Sequence, residues 1–301
     1  MTNLLMYFHI PRTGGTFFNH AIGDYLSQEA WQQHYNYTEN CSIMNLQNKD
    51  IPILYNRTHE QNKNLKILSG HSINCTSHKW IKTLKRPFYY TIVRDPVERL
   101  LSSFNYKVQK QILWQDSQAF AFTMPQLDQS ALFEGKTYTD YDTLFEYYLD
   151  NTAEQNMQAK WVIKSFLEYN HYSKSFQELT PTKSNNMIVT DNSLTTPEWF
   201  WDYSASITRE MIDHTLSKFW YISDFVNLEK DVKHICNLFD IEYQEVTHEQ
   251  KNTTQKIAKH WTLEDVQNQP DYDFLVQHLA LDYYLYDKVK LQEIPNDIPG
   301  N

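Results

Sequence analysis

The chain has 301 residues, 41% of them hydrophobic and 21% charged, with a formal net charge of −10. That is enough chain to bury a core without staples, and only 6 Gly and 10 Pro argue against linkers or low-complexity tails. The acidic balance argues against nucleic acid or an anionic membrane as a general partner, and three cysteines without a Cys-x-x-Cys pair argue against a disulfide framework or a zinc motif.

Met1 to His9 lacks both the basic start and the long apolar stretch of a signal peptide. No apolar run reaches the length of a membrane span. The expectation is a cytoplasmic protein with reduced thiols and no membrane-spanning segment.

Leu4 to Ile10 is a continuous apolar run broken only by His9, and it stops at a Pro-x-x-Gly-Gly turn, so it reads as a buried strand. Thr16 to Leu26 follows as a helix, with Phe17, Ile22, Tyr25 and Leu26 facing the core. Residues 31 to 65 are polar and weakly periodic, and read as an irregular excursion or insertion. Leu65 to Leu68 is a second strand, ending at Ser69-Gly70-His71, and Phe88 to Val93 is a third. Pro96 suits the first turn of a helix, and Val97, Leu100, Leu101, Phe104 and Val108 give that helix its apolar stripe.

Residues 115 to 139 are again irregular. Helices are expected over Tyr141 to Tyr148 and Asn156 to Tyr169, strands over Met187 to Val189 and Phe219 to Ile222, then helices over Leu228 to Phe239 and Tyr272 to Val289. The alternation implies one α/β domain over 1–301, with a central parallel sheet flanked by helices. Residues 31–64 and 115–139 would be insertions or acceptor-side loops.

Two segments suit phosphate chemistry. His9-Ile10-Pro11-Arg12-Thr13-Gly14-Gly15-Thr16-Phe17-Phe18 lies between a strand and a helix. There glycines permit a sharp turn and close approach of a ligand, unpaired N–H groups collect at the helix start, and Arg12 supplies a fixed cation. It is not a Walker loop, because no Lys follows Gly15, and the same residues also fit a plain strand–helix turn. In the second segment, Thr91 to Ser103, Arg94 ends a strand and Ser102 sits two helical turns later. The pair suits convergence on one phosphate, although Arg94 also fits a strand-end surface charge with Asp95 as helix cap.

HIPRTGGTFF followed by TIVRDPVERLLSSF resembles the PAPS-dependent carbohydrate O-sulfotransferases, among them the heparan sulfate 2-O- and 6-O-sulfotransferases. The resemblance implies a P-loop-like sulfotransferase fold. It implies that Arg12, Thr13, Gly14, Gly15, Thr16 and Phe17 hold the 5′-phosphosulfate of PAPS (3′-phosphoadenosine-5′-phosphosulfate), with Arg94 and Ser102 on the 3′-phosphate. Arg12 stands where such loops usually carry Lys.

Ser69-Gly70-His71 is similar to the segment holding the family's catalytic His, which would make His71 the base. Asn156-x-Gln158 is similar to a segment near the acceptor. Lys251-Asn252-Thr253-Thr254-Gln255-Lys256 resembles a loop that closes over PAPS through Lys251, Thr253 and Lys256. Sulfuryl transfer to an acceptor hydroxyl on a glycan or glycan precursor, releasing PAP without a metal, is the implied function. Peptide tyrosine or a small metabolite as acceptor, or a non-catalytic nucleotide-binding module, are the alternatives. A P-loop kinase would want a Walker lysine and a Mg²⁺-binding acid where none stands.

Overall fold

The computed structural model describes residues 3–23, 43–45, 57–71, 73–75, 77–113, 140–150, 154–166, 207–247 and 260–299. Five parallel strands form one sheet: β1 (Asn3–Phe8), β2 (Ile43–Asn45), β3 (Ile67–Gly70), β4 (Arg86–Val93) and β5 (Tyr221–Asp224), in the order β2-β3-β1-β4-β5. The chain leaves β1 for the β2–β3 side, then crosses to β4 and β5. β1 is therefore where the winding reverses, and in open α/β sheets ligands bind outside the carboxyl ends of the strands at that point.

β1 is apolar and buried from Leu4 to Phe8, as expected of a strand with both sheet faces covered. Leu5 and Tyr7 enter one core with Phe17, Phe18, Phe88, Tyr90, Val232 and Ile235. Their neighbours Leu4, Met6 and Phe8 enter another with Met44, Leu68, Ile81 and Phe166. The register aligns Phe8 with Gly70 and Tyr7 with Tyr90. It brings the residues just past each strand to one edge: His9 after β1, His71 after β3, Arg94 after β4 and Phe225 after β5.

The helices are α1 (Gly15–Ala21), α2 (Ser77–Trp80), α3 (Pro96–Leu113), α4 (Tyr141–Asp150), α5 (Met157–Lys164), α6 (Arg209–Leu216), α7 (Leu228–Leu238), α8 (Leu263–Gln267), α9 (Tyr272–His278) and α10 (Ala280–Val289). Val97, Leu100, Leu101, Phe104 and Val108 of α3 are all buried, as their spacing predicts. Among the described residues no helix is long and apolar enough to cross a membrane.

Several expected elements need correction: α1 ends at Ala21 and α5 at Lys164, each short of its expected end, and the second strand runs over Ile67–Gly70 instead of Leu65–Leu68. Residues 31–65 are not wholly irregular, since β2 lies there. Its three residues are too few to show a period, and only pairing with Ile67–Ser69 makes them a strand. The strand expected over Phe219 to Ile222 runs from Tyr221 to Asp224. The C-terminal helix is two helices, α9 and α10, which meet at Leu279. No proline or glycine marks the break. Instead Asn156 enters it, donating to the His278 carbonyl at 2.9 Å and accepting from the Leu281 and Asp282 amides at 2.9 and 3.0 Å. The break's freed backbone groups are thereby paired. The strand expected at Met187 to Val189 lies outside the described residues, as do 115–139.

Candidate active site

The loop after β1 turns sharply through two residues with positive φ, Arg12 at 69° and Gly14 at 108°. Thr13 is fully buried and donates its hydroxyl to the Ile10 carbonyl at 2.9 Å, which closes the turn from inside. The first helical bond of α1 runs from the Phe18 amide to the Gly14 carbonyl at 3.0 Å. The N–H groups of Gly14, Gly15 and Thr16 precede that bond.

Packing explains both glycines. A Cβ on Gly14 would lie 2.5 Å from Leu228 Cδ2, and one on Gly15 would lie 1.8 Å from His9 Nε2. The His9 ring thus lies directly on the backbone of Gly15, and the Phe225–Leu228 segment lies on Gly14. His9 also stacks between Tyr7, at 5.6 Å, and His71, at 4.0 Å. Burial, then the nearby His71 and Arg12, hold its pKa well below the ordinary histidine range.

His71 sits at the carboxyl end of β3, where Gly70 takes φ 139°. Its Nδ1 lies 3.0 Å from the His9 carbonyl oxygen. A carbonyl only accepts, so Nδ1 carries the proton and the basic lone pair lies on Nε2. The ring meets Trp161 edge-on at 5.9 Å, and the Lys164 ammonium covers the Trp161 face at 4.2 Å. Burial lowers the His71 pKa to about 4, the hydrogen bond that its Nδ1 donates to the His9 carbonyl opposes that shift, and Lys164 adds to it. Lys164 itself is lowered to about 8 by burial. His71 is therefore a neutral imidazole across the physiological range. Trp161 and Lys164 do not stand out in the sequence. They are one helical turn apart on α5, and only the docking of α5 against the sheet brings them to His71.

Arg12 reaches from the loop to α3. Its Nε donates to Ser102 Oγ at 3.2 Å, and its guanidinium lies 4.4 Å over the Tyr106 ring. Burial, partly offset by Tyr106, lowers its pKa, and Arg94 and Arg99 lower it further. Three guanidinium groups therefore share one field in an otherwise acidic chain. Arg99 is fully buried and committed to Glu154, at 2.6 Å, with Ser103 and Tyr147 also donating to that carboxylate.

Arg94 lies on the Phe225 ring at 4.5 Å, and its Nε is 3.1 Å from Glu98 Oε2. Ser102, expected with Arg94 on one phosphate, is bonded to Arg12. The i,i+4 placement of Glu98 gives the Arg94 side chain its partner.

Asn156 and Gln158 are also placed differently from the expected acceptor contacts. They are 4% and 0% exposed. Asn156 spends its amide on the α9–α10 break. Gln158 spends its own on Arg94: Oε1 accepts from the Arg94 amide and Nε2 donates to the Arg94 carbonyl, both at 2.8 Å. Lys251, Thr253 and Lys256 lie outside the described residues.

A family model described as the sulfotransferase family matches residues 2–289. No curated protein matches the chain.

Proposed function

The chain belongs to the sulfotransferase family, and we propose that it moves the sulfuryl group of PAPS to a hydroxyl of a carbohydrate acceptor. The observation that carries this reading is the His9–His71 arrangement. It fixes a neutral imidazole with its lone pair on Nε2, at the strand ends beside the Arg12 loop.

In the proposed reaction the acceptor oxygen attacks sulfur in line. The bond between sulfur and the bridging oxygen of the 5′-phosphate breaks, and PAP departs. His71 Nε2 takes the hydroxyl proton. Arg12 stabilises the charge that grows on the bridging oxygen, and the N–H groups of Gly14, Gly15 and Thr16 face the 5′ end of the donor. Arg94 meets the 3′-phosphate once it leaves Glu98. Such transfers need positioning and charge stabilisation more than covalent help from the protein. The resemblance of the loop after β1 and the Arg94 segment to carbohydrate O-sulfotransferases supports a sugar as acceptor.

The test is incubation with labelled PAPS and a panel of glycan precursors, tyrosine peptides and small hydroxylated metabolites. Label on a sugar hydroxyl is the expected result. Label on tyrosine or a metabolite would overturn the carbohydrate assignment, and PAP binding without turnover on any acceptor would overturn the enzyme.

A further inference from the structure

We propose that Gln158 is a positioning residue that sets Arg94 in place for the 3′-phosphate of the donor; this rests on the PAPS reading above. The last laddered residue of β4 is Val93, which pairs with Asp224 of β5. Helix α3 begins at Pro96, with Asp95 Oδ1 accepting the Glu98 amide at 3.0 Å. Arg94 is therefore the residue where the strand has ended and the helix cap has not begun. Its backbone amide and carbonyl have left the ladder and need partners. Gln158 supplies both, in two 2.8 Å bonds from one side-chain amide. That pairing extends the strand's hydrogen bonding by one residue and fixes where the guanidinium starts.

Gln158 is itself immobilised. It is fully buried, and its own amide donates to Asp282 Oδ2 at 3.3 Å, beside the 2.8 Å bond from Ala159 to Oδ1. A rigid link therefore runs from α10 through the start of α5 to the end of β4. Among the described residues, the side chain of Arg94, by contrast, is held from its outer end, by Glu98 and Phe225. A phosphate can replace Glu98 as the partner of that guanidinium, while the backbone origin stays put. Misplacement of a binding group by a fraction of its contact distance is costly, so the clip gives specificity for the 3′-phosphate without touching it.

The experiment compares Gln158→Leu and Gln158→Glu with wild type, using two probes: PAP, and AMP, which lacks only the 3′-phosphate. The leucine leaves both Arg94 backbone groups unpaired. The glutamate keeps the acceptor and loses the donor. Exchange of the Arg94 amide, followed by NMR on arginine-labelled protein, reads the clip directly. The expected result is a loss of PAP affinity on the order of tenfold in Gln158→Leu, a smaller loss in Gln158→Glu, AMP affinity unchanged in both, and a fast-exchanging Arg94 amide in the leucine variant.

Equal losses for PAP and AMP, or none for PAP, overturn the positioning role. So does an Arg94 amide that stays protected without Gln158. If Gln158→Leu does not fold, the glutamate variant decides by the same PAP/AMP ratio. Wild-type protein that binds PAP no better than AMP overturns the donor reading itself, and that control separates the two failures.

Discussion

Asn156 and Asp282 cap each other's helices. The Asn156 amide oxygen accepts the Leu281 and Asp282 amides at the start of α10, and the Asp282 carboxylate accepts the Gln158 and Ala159 amides at the start of α5. Each side chain satisfies N–H groups that its partner's helix leaves unpaired. Asn156 adopts φ 50° to do so, a left-handed geometry that asparagine tolerates better than most residues. Asp282→Ala strips two buried amides of their acceptor. It should cost about 1–3 kcal/mol per group, read by urea unfolding.

Burial raises the Asp282 pKa from 3.8 to about 6, with Arg99 and the two amides opposing. The folded carboxyl therefore holds its proton where the unfolded one has lost it. The stability from this group is fully present below the unfolded value and is lost as pH rises through the folded one. In Asp282→Asn that loss between about pH 4 and 6 should vanish. A stability difference between wild type and variant that does not change over this window would contradict it.

PAP should stabilise the fold by mass action, by about 2.7 kcal/mol at a hundredfold excess over Kd, and so raise the unfolding temperature. ATP with Mg²⁺ should do much less, because it offers Arg94 no 3′-phosphate. Differential scanning with each ligand makes the comparison, and equal stabilisation would count against PAPS as donor.

Arg94→Ala should weaken PAP by roughly 1.5–3 kcal/mol, the value of a hydrogen bond to a charged group. Adenosine 5′-phosphosulfate, without the 3′-phosphate, should bind nearly as before. Calorimetry with both ligands is the check. Parallel losses would mean that Arg94 acts on the fold and not on the phosphate.

His71→Ala should lower turnover by about 10²–10⁴-fold while PAP affinity holds. In wild type the acid limb of kcat/KM should centre near the lowered His71 value of about 4 and not near the ordinary 6.5. The sign follows from the lowered pKa: the base is active when neutral, so activity is retained down to about pH 4 and lost below it. A limb near 6.5, or one that persists in the variant, would remove His71 from the proton transfer.

Gly15→Ala should destabilise by about 1–3 kcal/mol, the usual cost of overpacking, because its new methyl meets the His9 ring. In a His9→Ala background the same change should cost far less, since the obstructing ring is gone. Thermal unfolding of the four proteins closes the cycle. Equal cost in both backgrounds would show that the glycine answers to something other than His9.

Sequence alone sufficed for what is local. The apolar run of β1, the Gly-Gly turn and the stripe Val97-Leu100-Leu101-Phe104-Val108 each follow from short-range periodicity and backbone sterics, and all lie where their patterns place them. The strand–loop–helix pattern also marked Arg12 and Arg94, and the resemblance of its segment marked His71; a parallel sheet gathers such strand ends at one edge. Pairings across long separations were decided only by tertiary structure. Ser102 took Arg12 as a donor, Asn156 entered a break far along the chain, and Gln158 turned from an apparent acceptor contact into a brace. A side-chain amide or hydroxyl has no periodicity that reveals its partner. Which backbone group it satisfies depends on how α5, α10 and the end of β4 dock, and the requirement that every buried polar group be paired operates only after they have docked.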